Sequence, residues 1–538
     1  MIVNGKLIDI KNREIYNASI VVKKNKIESI KRLNENINNL PYILPGFIDA
    51  HVHIESSMLT PTEFARLAVA HGTVATVSDP HEIGNVLGVK GVEFMIENSK
   101  LTPFKFYFGA PSCVPATSFE TSGASITASD VDYLLQKPEI LYLAEMMNWP
   151  GVLNKDLEVI SKIRLAQKYN KPVDGHAPGL LGEQAKQYID AGITTDHECF
   201  TYDEARNKLD NGMKVIIREG SAAKNFEALI ELLDTDYLNI MFCSDDKHPD
   251  SLIEGHINEL VKRALNKGLG LFKVLQVACL NPIKHYNLDV GQLRVGDDAD
   301  FITIDNLNSF NVTNTYIKGQ HVAQNGKSLL HNIPSLHPNN FKAEKKAEKE
   351  FKQKNTTEII PVIEVIDGEL ITNRLNLKAK VENGLNVSDI SRDILKITVV
   401  NRYNINAKPS ISFIKNFGLK NGAIASSVGH DSHNIICIGV DDGSMTKAIN
   451  LIIEAKGGIS AVSNSSSMLL ELPIGGLMTD KDGYEIANQY ILIDKMVKEM
   501  GCDLTAPFMS LSFMALLVIP SLKLSDLGLF DGMKFQFV

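Results

Sequence analysis

The chain has 538 residues, of which 44% are apolar and 22% are charged, an ordinary composition for a globular protein of several domains. Its 55 Lys and Arg residues against 64 Asp and Glu residues give a net charge of −9. This negative charge argues against nucleic acid or an anionic membrane as a partner.

Three features predict a cytoplasmic protein. The first residues, Met-Ile-Val-Asn-Gly-Lys, lack the basic segment and apolar core of a signal peptide. The longest late apolar stretch, Phe513 to Pro520, is far shorter than the ~20 residues that span a bilayer. The six cysteines lie far apart in the sequence, which suits free thiols in a reducing compartment.

Short β-prone runs come first along the chain, in residues 1–45, and the same pattern returns in residues 290–330. Between them, the segment Leu44-Pro-Gly-Phe-Ile-Asp-Ala-His-Val-His53 predicts an apolar strand that ends in two histidines, His51 and His53. Residues i and i+2 of a strand point to the same face, so we expect both imidazoles to converge. Imidazole is a common ligand of divalent transition metals. The alternative is a pair of surface histidines, which the Pro-Gly boundary and the apolar strand disfavour.

Apolar runs alternate with helical patterns downstream of this motif. Helical periodicity marks residues 156–169, 182–191 and 251–266. The alternation predicts an α/β fold with a parallel (β/α) barrel over residues 46–285. Catalytic groups of such barrels gather at the C-terminal ends of the strands. Predicted strands end at Glu145, His176, His197 and Asp245.

Four imidazoles and two carboxylates therefore form a candidate metal site, made of His51, His53, Glu145, His176, His197 and Asp245. Six ligands exceed what one tetrahedral ion needs, so we predict two divalent ions with a bridging carboxylate. Two neighbouring ions can share a hydroxide, which is a strong nucleophile at neutral pH, and Asp245 is placed to accept its proton. Taken alone, His176 or His197 is equally well explained as a hydrogen-bonded core histidine.

A charged linker over residues 336–357 follows, because Lys and Glu dominate the stretch from Phe341 to Lys354. The remaining residues, 358–538, mix strand and helix patterns and predict a C-terminal α+β domain that covers the active site. Its polar Gly-His-Asp-Ser-His-Asn loop carries His430 and His433. We expect this loop to act as a lid or to bind substrate or metal, with a purely structural role as the open alternative.

The motifs together resemble the bacterial adenine deaminases of the amidohydrolase superfamily. The residues that carry the resemblance are the 44–58 segment, Ser78-Asp-Pro-His-Glu-Ile-Gly-Asn85, Ala144-Glu-Met-Met-Asn148, Asp174-Gly-His-Ala-Pro178, Cys243-Ser-Asp-Asp246 and Val428 to Asn434. The resemblance implies hydrolysis of adenine to hypoxanthine and ammonia with Mn²⁺ or Fe²⁺, and Zn²⁺ as a third option. It also implies a homodimer, and a small β-sandwich formed by both flanks of the barrel, residues 1–45 and 286–335.

Glu145 discriminates between branches of the superfamily. Members that resemble dihydroorotase carry a carboxylated lysine as the bridging ligand, whereas no lysine occurs between Leu141 and Trp149. This disfavours the second hypothesis, an amidohydrolase acting on a cyclic amide or imide. A third hypothesis, a non-catalytic barrel that only binds ligands, is disfavoured by the complete ligand set. Zinc nucleobase deaminases are excluded because the chain has no Cys-x-x-Cys motif.

Substrate contacts are expected from acids and histidines near the strand ends. Glu55, His81 and Glu82 follow early strands, and bracing of a loop is the alternative role for each of them. Neighbouring strand residues face opposite ways, so we expect Asp245 to point into the metal centre and Asp246 to orient substrate or brace a loop. His430 and His433 complete the predicted substrate site.

Overall fold

The computed structural model describes residues 1–33 and 39–538. The chain begins with four strands: β1 (Ile2–Asp9), β2 (Glu14–Lys23), β3 (Lys26–Arg32) and β4 (Tyr42–Pro45). β1 pairs with β2 in antiparallel register and with β4 in parallel register. Residues 34–38, which belong to the predicted segment 1–45, lie outside the described residues.

Eight parallel strands follow and form the predicted barrel, which confirms the fold class. They are β5 (Phe47–Val52), β6 (Thr73–Ser78), β7 (Lys105–Ala110), β8 (Ile140–Met146), β9 (Val173–Gly175), β10 (Thr195–Asp196), β11 (Lys214–Arg218) and β12 (Ile240–Cys243). β5 to β9 form one ladder and β10 to β12 another. Parallel bridges from Val173 to Ile193 and from Val52 to Asp245 join the two ladders.

Helices connect the strands, including those that apolar periodicity predicts over residues 156–169, 182–191 and 251–266. They are α1 (Pro61–Ala70), α2 (His81–Leu87), α3 (Val89–Ser99), α4 (Ala128–Leu135), α5 (Trp149–Leu153), α6 (Leu157–Lys168), α7 (Gly182–Asp190), α8 (Tyr202–Asp210), α9 (Phe226–Leu229), α10 (Leu233–Asp236), α11 (Pro249–Glu254), α12 (Ile257–Asn266), α13 (Leu271–Leu275) and α14 (Asn281–Tyr286). The predicted helix 251–266 is in fact two helices. The chain turns inward at His256, whose Nε2 lies 2.8 Å from Oδ2 of the buried Asp49.

Strands after the barrel return to the first sheet. They are β13 (Phe301–Ile304), β14 (Val312–Ile317), β15 (Gln320–Gln324) and β16 (Lys327–Ser328). β13 pairs with β4 in antiparallel register, so the flanks of the barrel share one eight-stranded sheet. The flanks pair through this continuous hydrogen-bonded ladder, while the domain limits 1–45 and 286–335 stay a prediction.

The charged segment 336–357 is less solvated than its composition predicts. It contains no α-helix; a 3-10 turn at Glu348–Phe351 precedes β17 (Gln353–Lys354). Phe351 is fully buried in an apolar cluster. The amide of Asn340 donates to the carbonyl oxygens of Val86 and Gly123, which belong to the barrel region. The segment is therefore packed against its neighbours through Phe351 and Asn340, despite its many charges.

The C-terminal region is an α+β unit built on a second eight-stranded sheet. Its elements are β18 (Ile359–Val365), β19 (Thr372–Lys378), β20 (Lys380–Glu382), β21 (Leu385–Val387), β22 (Ile394–Val400), β23 (Ser410–Lys415), β24 (Ala423–Ser426), β25 (Ile435–Gly439), α15 (Asp442–Ala455), β26 (Gly458–Val462), β27 (Ser467–Glu471), α16 (Gly483–Glu499), α17 (Pro507–Phe513), β28 (Leu522–Ser525), β29 (Gly528–Asp531) and β30 (Gln536–Phe537).

One apolar core joins the barrel and the C-terminal region. The same buried cluster holds Leu59 and Phe64 of the barrel together with Ile486 and Phe508 of the C-terminal region. This shared core seats the C-terminal region on the barrel, over the ends of the strands where the predicted ligands lie. Among the described residues, no helix combines the length and the apolar content that are needed to cross a membrane.

Lys523 on β28 lies beside this core and links a loop to the end of α17. Its Nζ donates to the carbonyl oxygens of Leu370 (2.5 Å) and Phe513 (2.9 Å), and the side chain is fully buried. No carboxylate forms an ion pair with it in the described part of the chain. Burial lowers the pKa of Lys523 to about 7.

We predict that Lys523 makes stability depend on pH. In the unfolded chain its pKa is about 10.4, so between about pH 7 and pH 10 the unfolded state binds more protons and the stability of the folded protein rises with pH. Lys523→Met lacks this contribution. The melting temperature of wild type relative to Lys523→Met should therefore increase from about pH 6 to about pH 9. A constant difference across this range contradicts a neutral buried amine.

Candidate metal centre

The six predicted metal ligands meet at the C-terminal mouth of the barrel. All six side chains are at most 6% exposed: His51, His53, Glu145, His176, His197 and Asp245. His51 and His53 come from the end of β5, and their Nε2 atoms are 3.2 Å apart. The strand alternation inferred from the sequence thus brings both imidazoles to one point.

Glu145 lies between two groups of ligands. Its Oε1 is 3.3 Å from Nε2 of His53, whereas its Oε2 is 2.8 Å from Nδ1 of His176 and 3.2 Å from Nε2 of His197. Burial alone would raise the pKa of Glu145, but the imidazoles of His176, His197 and His53 hold the pKa well below its usual value. An ionised carboxylate with one oxygen toward each group is the arrangement that a bridging ligand needs.

Asp245 completes the group on the side of β5. Its Oδ1 lies 3.4 Å from Nε2 of His51 and 3.2 Å from Nε2 of His53. Its Oδ2 accepts a hydrogen bond of 2.6 Å from Nη1 of Arg218. Burial would raise the pKa of Asp245, but Arg218 and the two histidines hold it well below its usual value.

The expectation that Asp245 and Asp246 face opposite ways is wrong. Asp245 has a left-handed backbone with φ of 53°, a conformation that Asp tolerates and that breaks the alternation of a strand. Both acids consequently line the same cavity. Asp246 Oδ1 accepts a 2.5 Å hydrogen bond from Oγ of Ser56.

Buried polar networks fix the loops that carry the ligands. Lys208 on α8 donates to the carbonyl oxygen of Ala177 (2.7 Å) and to Oδ2 of Asp196 (2.6 Å). Asp196 Oδ1 accepts from the N–H of Ala177 (2.9 Å). Because Ala177 follows His176 and Asp196 precedes His197, one ion pair holds both histidine loops. Outer contacts of this kind orient metal ligands.

The cavity beside these ligands is small. Its empty volume, mouth included, is about 310 Å³. His81, Glu82, Asp246 and His430, all predicted substrate contacts, line it. Leu370 and Leu516 from the C-terminal region complete the wall.

Glu55 and His433, also predicted substrate contacts, are not among the described residues that line the cavity. Glu55 Oε1 accepts from the backbone N–H of Ile83 (3.1 Å), so it braces the start of α2, which was its alternative role. Burial raises the pKa of Glu55 to about 7. His433 Nε2 contacts Oε2 of Glu82 and does not line the cavity.

Two charged residues of the centre escaped the sequence analysis. Arg218 ends β11, and Glu198 directly follows His197. Glu198 forms a two-point ion pair with Arg218, with 3.0 Å between Nη2 and Oε2. Arg218 could have been found from the sequence, because it ends an apolar strand as the predicted ligands do.

Comparison with known families agrees with this architecture. Residues 42–322 match the model of the amidohydrolase family, and residues 369–536 match the adenine deaminase C-terminal domain. The chain is 53% identical to an adenine deaminase of Sulfurovum sp. over 99% of this chain and 98% of the relative. It is 51% identical to the adenine deaminase of Salinibacter ruber over 99% of this chain and 98% of the relative.

The chain belongs to the adenine deaminase family. A third relative, the adenine deaminase of Borreliella burgdorferi, is 50% identical over 100% of this chain and 99% of its own length. Among solved structures, a β-aspartyl dipeptidase of Fervidobacterium islandicum matches with a TM-score of 0.47 and 17% identity, covering 62% of this chain and 99% of that one. The full-length relatives confirm the resemblance that the motifs indicate.

The donor set fits divalent transition metals. Buried imidazole and carboxylate atoms of several ligand groups lie within 4.8 Å of one another, such as His51, His53 and Asp245, or His51, Glu145 and His197. Imidazole with carboxylate is a ligand combination for Mn, Fe and Zn ions. Adenine deaminase family membership and this cluster together support a divalent metal in the chain.

Arg218 should control metal affinity without being a ligand. Arg218→Met frees Oδ2 of Asp245 and leaves Glu198 only its contacts with His176 and His197, so both carboxylates can turn. We expect the dissociation constant of the metal to rise about 10–100-fold, as for other outer-contact mutations. Competition with a chromogenic chelator measures it.

The matched control is Arg206→Met, because Arg206 pairs with Asp236 and Asp210 away from the cavity. This variant should bind metal like wild type. Equal affinities of the Arg218 and Arg206 variants contradict the positioning role, provided that circular dichroism shows both are folded.

Proposed function

We propose that this chain hydrolyses adenine to hypoxanthine and ammonia, with two divalent ions held by His51, His53, Glu145, His176, His197 and Asp245. The observation that carries the proposal is the division of ligands around Glu145, one oxygen toward His53 and the other toward His176 and His197. Full-length relatives named adenine deaminase supply the substrate.

The chemistry follows from the residues around the cavity. Divalent ions held by these residues would supply the nucleophile, because such ions lower the pKa of bound water toward neutrality. Arg218 holds Oδ2 of Asp245, whereas Oδ1 lies toward the histidines. Oδ1 is therefore the oxygen that accepts the proton of the attacking water. Asp245 then delivers that proton to the departing amine.

Mn²⁺ or Fe²⁺ is the proposed pair of ions, with Zn²⁺ as the third option. The ligands are nitrogen and oxygen atoms, and no cysteine lines the cavity in the described structure. Thiolates favour Zn²⁺ and Cu⁺, whereas imidazole and carboxylate also accept harder ions. The adenine deaminase resemblance supports the same two ions.

The alternative hypotheses receive less support. A hydrolase of cyclic amides would use a carboxylated lysine as bridge, and the described residues that line the cavity include no lysine. A barrel that only binds ligands has no need for Asp245 and Arg218 as a fixed pair. The six cysteines are free and buried, which supports the cytoplasm as location. The homodimer stays a prediction.

The first test is a reaction assay at known metal content. Protein reconstituted with Mn²⁺ should hold two ions per chain and release ammonia from adenine, because six ligands serve two ions. Adenosine should react far more slowly, since Leu370 and Leu516 leave little space for a ribose beside a purine. Elemental analysis and an ammonia assay measure both outcomes. Glu145→Gln serves as the control that loses metal and activity.

One ion at full activity would refute the binuclear part of the proposal. Equal turnover of adenosine would refute the substrate. Retention of both ions and of normal rates in Glu145→Gln would show that Glu145 is not the bridge.

Asp245 and Asp246 should differ in their kinetics. Asp245→Asn removes the proton acceptor, so kcat should fall about 10²–10⁴-fold, as general-base losses do, with a smaller change in KM. Asp246→Asn should act mainly on KM, because Asp246 lines the cavity and is hydrogen-bonded to Ser56. Steady-state kinetics at matched metal content measure both variants. The reverse pattern would move the proton acceptor to Asp246.

A further inference from the structure

His430 reaches the cavity from outside the barrel. It lies in the loop between β24 and β25, is 3% exposed, and lines the cavity together with His81 and Asp246. Its ring packs against Phe513 of α17, with 5.3 Å between ring centroids. An apolar neighbour and a buried loop hold the imidazole in one place.

The two ring nitrogens of His430 have different surroundings. Nδ1 lies 2.6 Å from Oε1 of Glu82. Nε2 has no hydrogen-bond partner among the described residues, and Oδ1 of Asp246 is 3.8 Å away. A buried imidazole nitrogen without a partner costs free energy unless a ligand occupies it. Nε2 is therefore the atom that is available to a molecule in the cavity.

His433 fixes the second oxygen of Glu82. The backbone N–H of Gly429 donates to Nδ1 of His433 (3.3 Å), so Nδ1 is an acceptor and Nε2 carries the hydrogen. Nε2 of His433 in turn contacts Oε2 of Glu82. Burial lowers the pKa of His433, which keeps it a neutral donor. Each oxygen of Glu82 thus faces one imidazole nitrogen, and the carboxylate positions the ring of His430.

We propose that His430, oriented by Glu82, is the acid that protonates the purine ring through Nε2–H. The assignment rests on the proposed adenine deamination. Attack at C6 pushes an electron pair onto the neighbouring ring nitrogen N1, which needs a proton at that moment. His430 is then a catalytic residue, and Glu82 and His433 are positioning residues.

Every proton is accounted for over one turnover. The water oxygen forms a bond to C6, one water proton goes to Asp245, and the proton on Nε2 of His430 goes to N1. The C6–N bond then breaks, and the amine takes the proton from Asp245 and leaves as ammonia. The remaining hydroxyl proton at C6 returns to His430 as the carbonyl forms. Hypoxanthine keeps the proton on N1, and both residues recover their starting states.

The charges around His430 keep it protonated at neutral pH. The titratable groups that face it are Glu82 on α2, Asp246 after β12, and His433 and Asp431 on its own loop. His248, three residues beyond Asp245, also senses its charge. Burial lowers the pKa of His430, but Glu82, Asp246 and Asp431 outweigh burial and raise it to about 9.

The test compares His430→Gln with wild type and with His337→Gln, an exposed histidine outside the cavity. In His430→Gln, kcat should fall about 10²–10⁴-fold, as expected for the loss of a general acid. KM should change less than about threefold, and the metal content should stay the same. In wild type, kcat/KM should decline as pH rises through about 9, and this decline should vanish in His430→Gln.

Glu82→Gln supplies a second measurement if His430→Gln folds poorly. A neutral amide stabilises the imidazolium less, so the alkaline decline should move to lower pH. His430→Gln with near-normal kcat, or an alkaline decline that neither variant alters, overturns the assignment. If metal-loaded wild type releases no ammonia from adenine, the proposed function itself fails. An active wild type with an active His430→Gln refutes only the acid.

Discussion

Closure of the barrel is the constraint on which the site depends. The N–H of Asp245 donates to the carbonyl oxygen of His51 (3.0 Å), and the N–H of His53 donates to that of Asp245 (3.3 Å). These two bonds join the last strand to the first. They place a carboxylate beside two imidazoles that precede it by almost 200 positions. The left-handed backbone of Asp245 is part of the same closure and turns Asp246 toward the cavity as well.

The second requirement is that the buried charges beside the candidate ligands find counterparts. Burial of an isolated carboxylate would cost more free energy than folding supplies. Here Arg218 pairs with Glu198 and Asp245, and Lys208 pairs with Asp196. Each pair also holds a loop that carries a ligand. Charge neutralisation and ligand geometry are therefore satisfied by the same contacts.

Sequence patterns predicted the features of the fold that depend on local apolar periodicity. The strand ends at His51, Glu145, His176 and His197 follow from apolar runs, and the barrel order makes them converge. The expected alternation between Asp245 and Asp246 was wrong, because Asp245 has a positive φ and side chains alternate only in an extended backbone. Arg218 and Glu198 were missed because their pairing arises only when β10, β11 and β12 lie side by side. Oε1 of Glu55 braces the start of α2, one of the two roles expected for this residue, and its contact with substrate stays a prediction.

The segment 336–357 shows the same limit of composition. Its charges predict a solvated linker, yet the fully buried Phe351 helps to anchor it. A single aromatic residue contributes little to an average over the segment. It contributes much to packing, because a buried phenyl ring removes a large apolar area from water.

The division of the site between two regions has a consequence for biosynthesis. The last candidate ligand, Asp245, leaves the ribosome long before β13, which pairs with β4, and before His430. A nascent chain that ends after the barrel strands therefore holds all six candidate ligands. It lacks β13, and it lacks His430 and the two leucines that line the cavity, so the cavity is complete only after the C-terminal third of the chain is made.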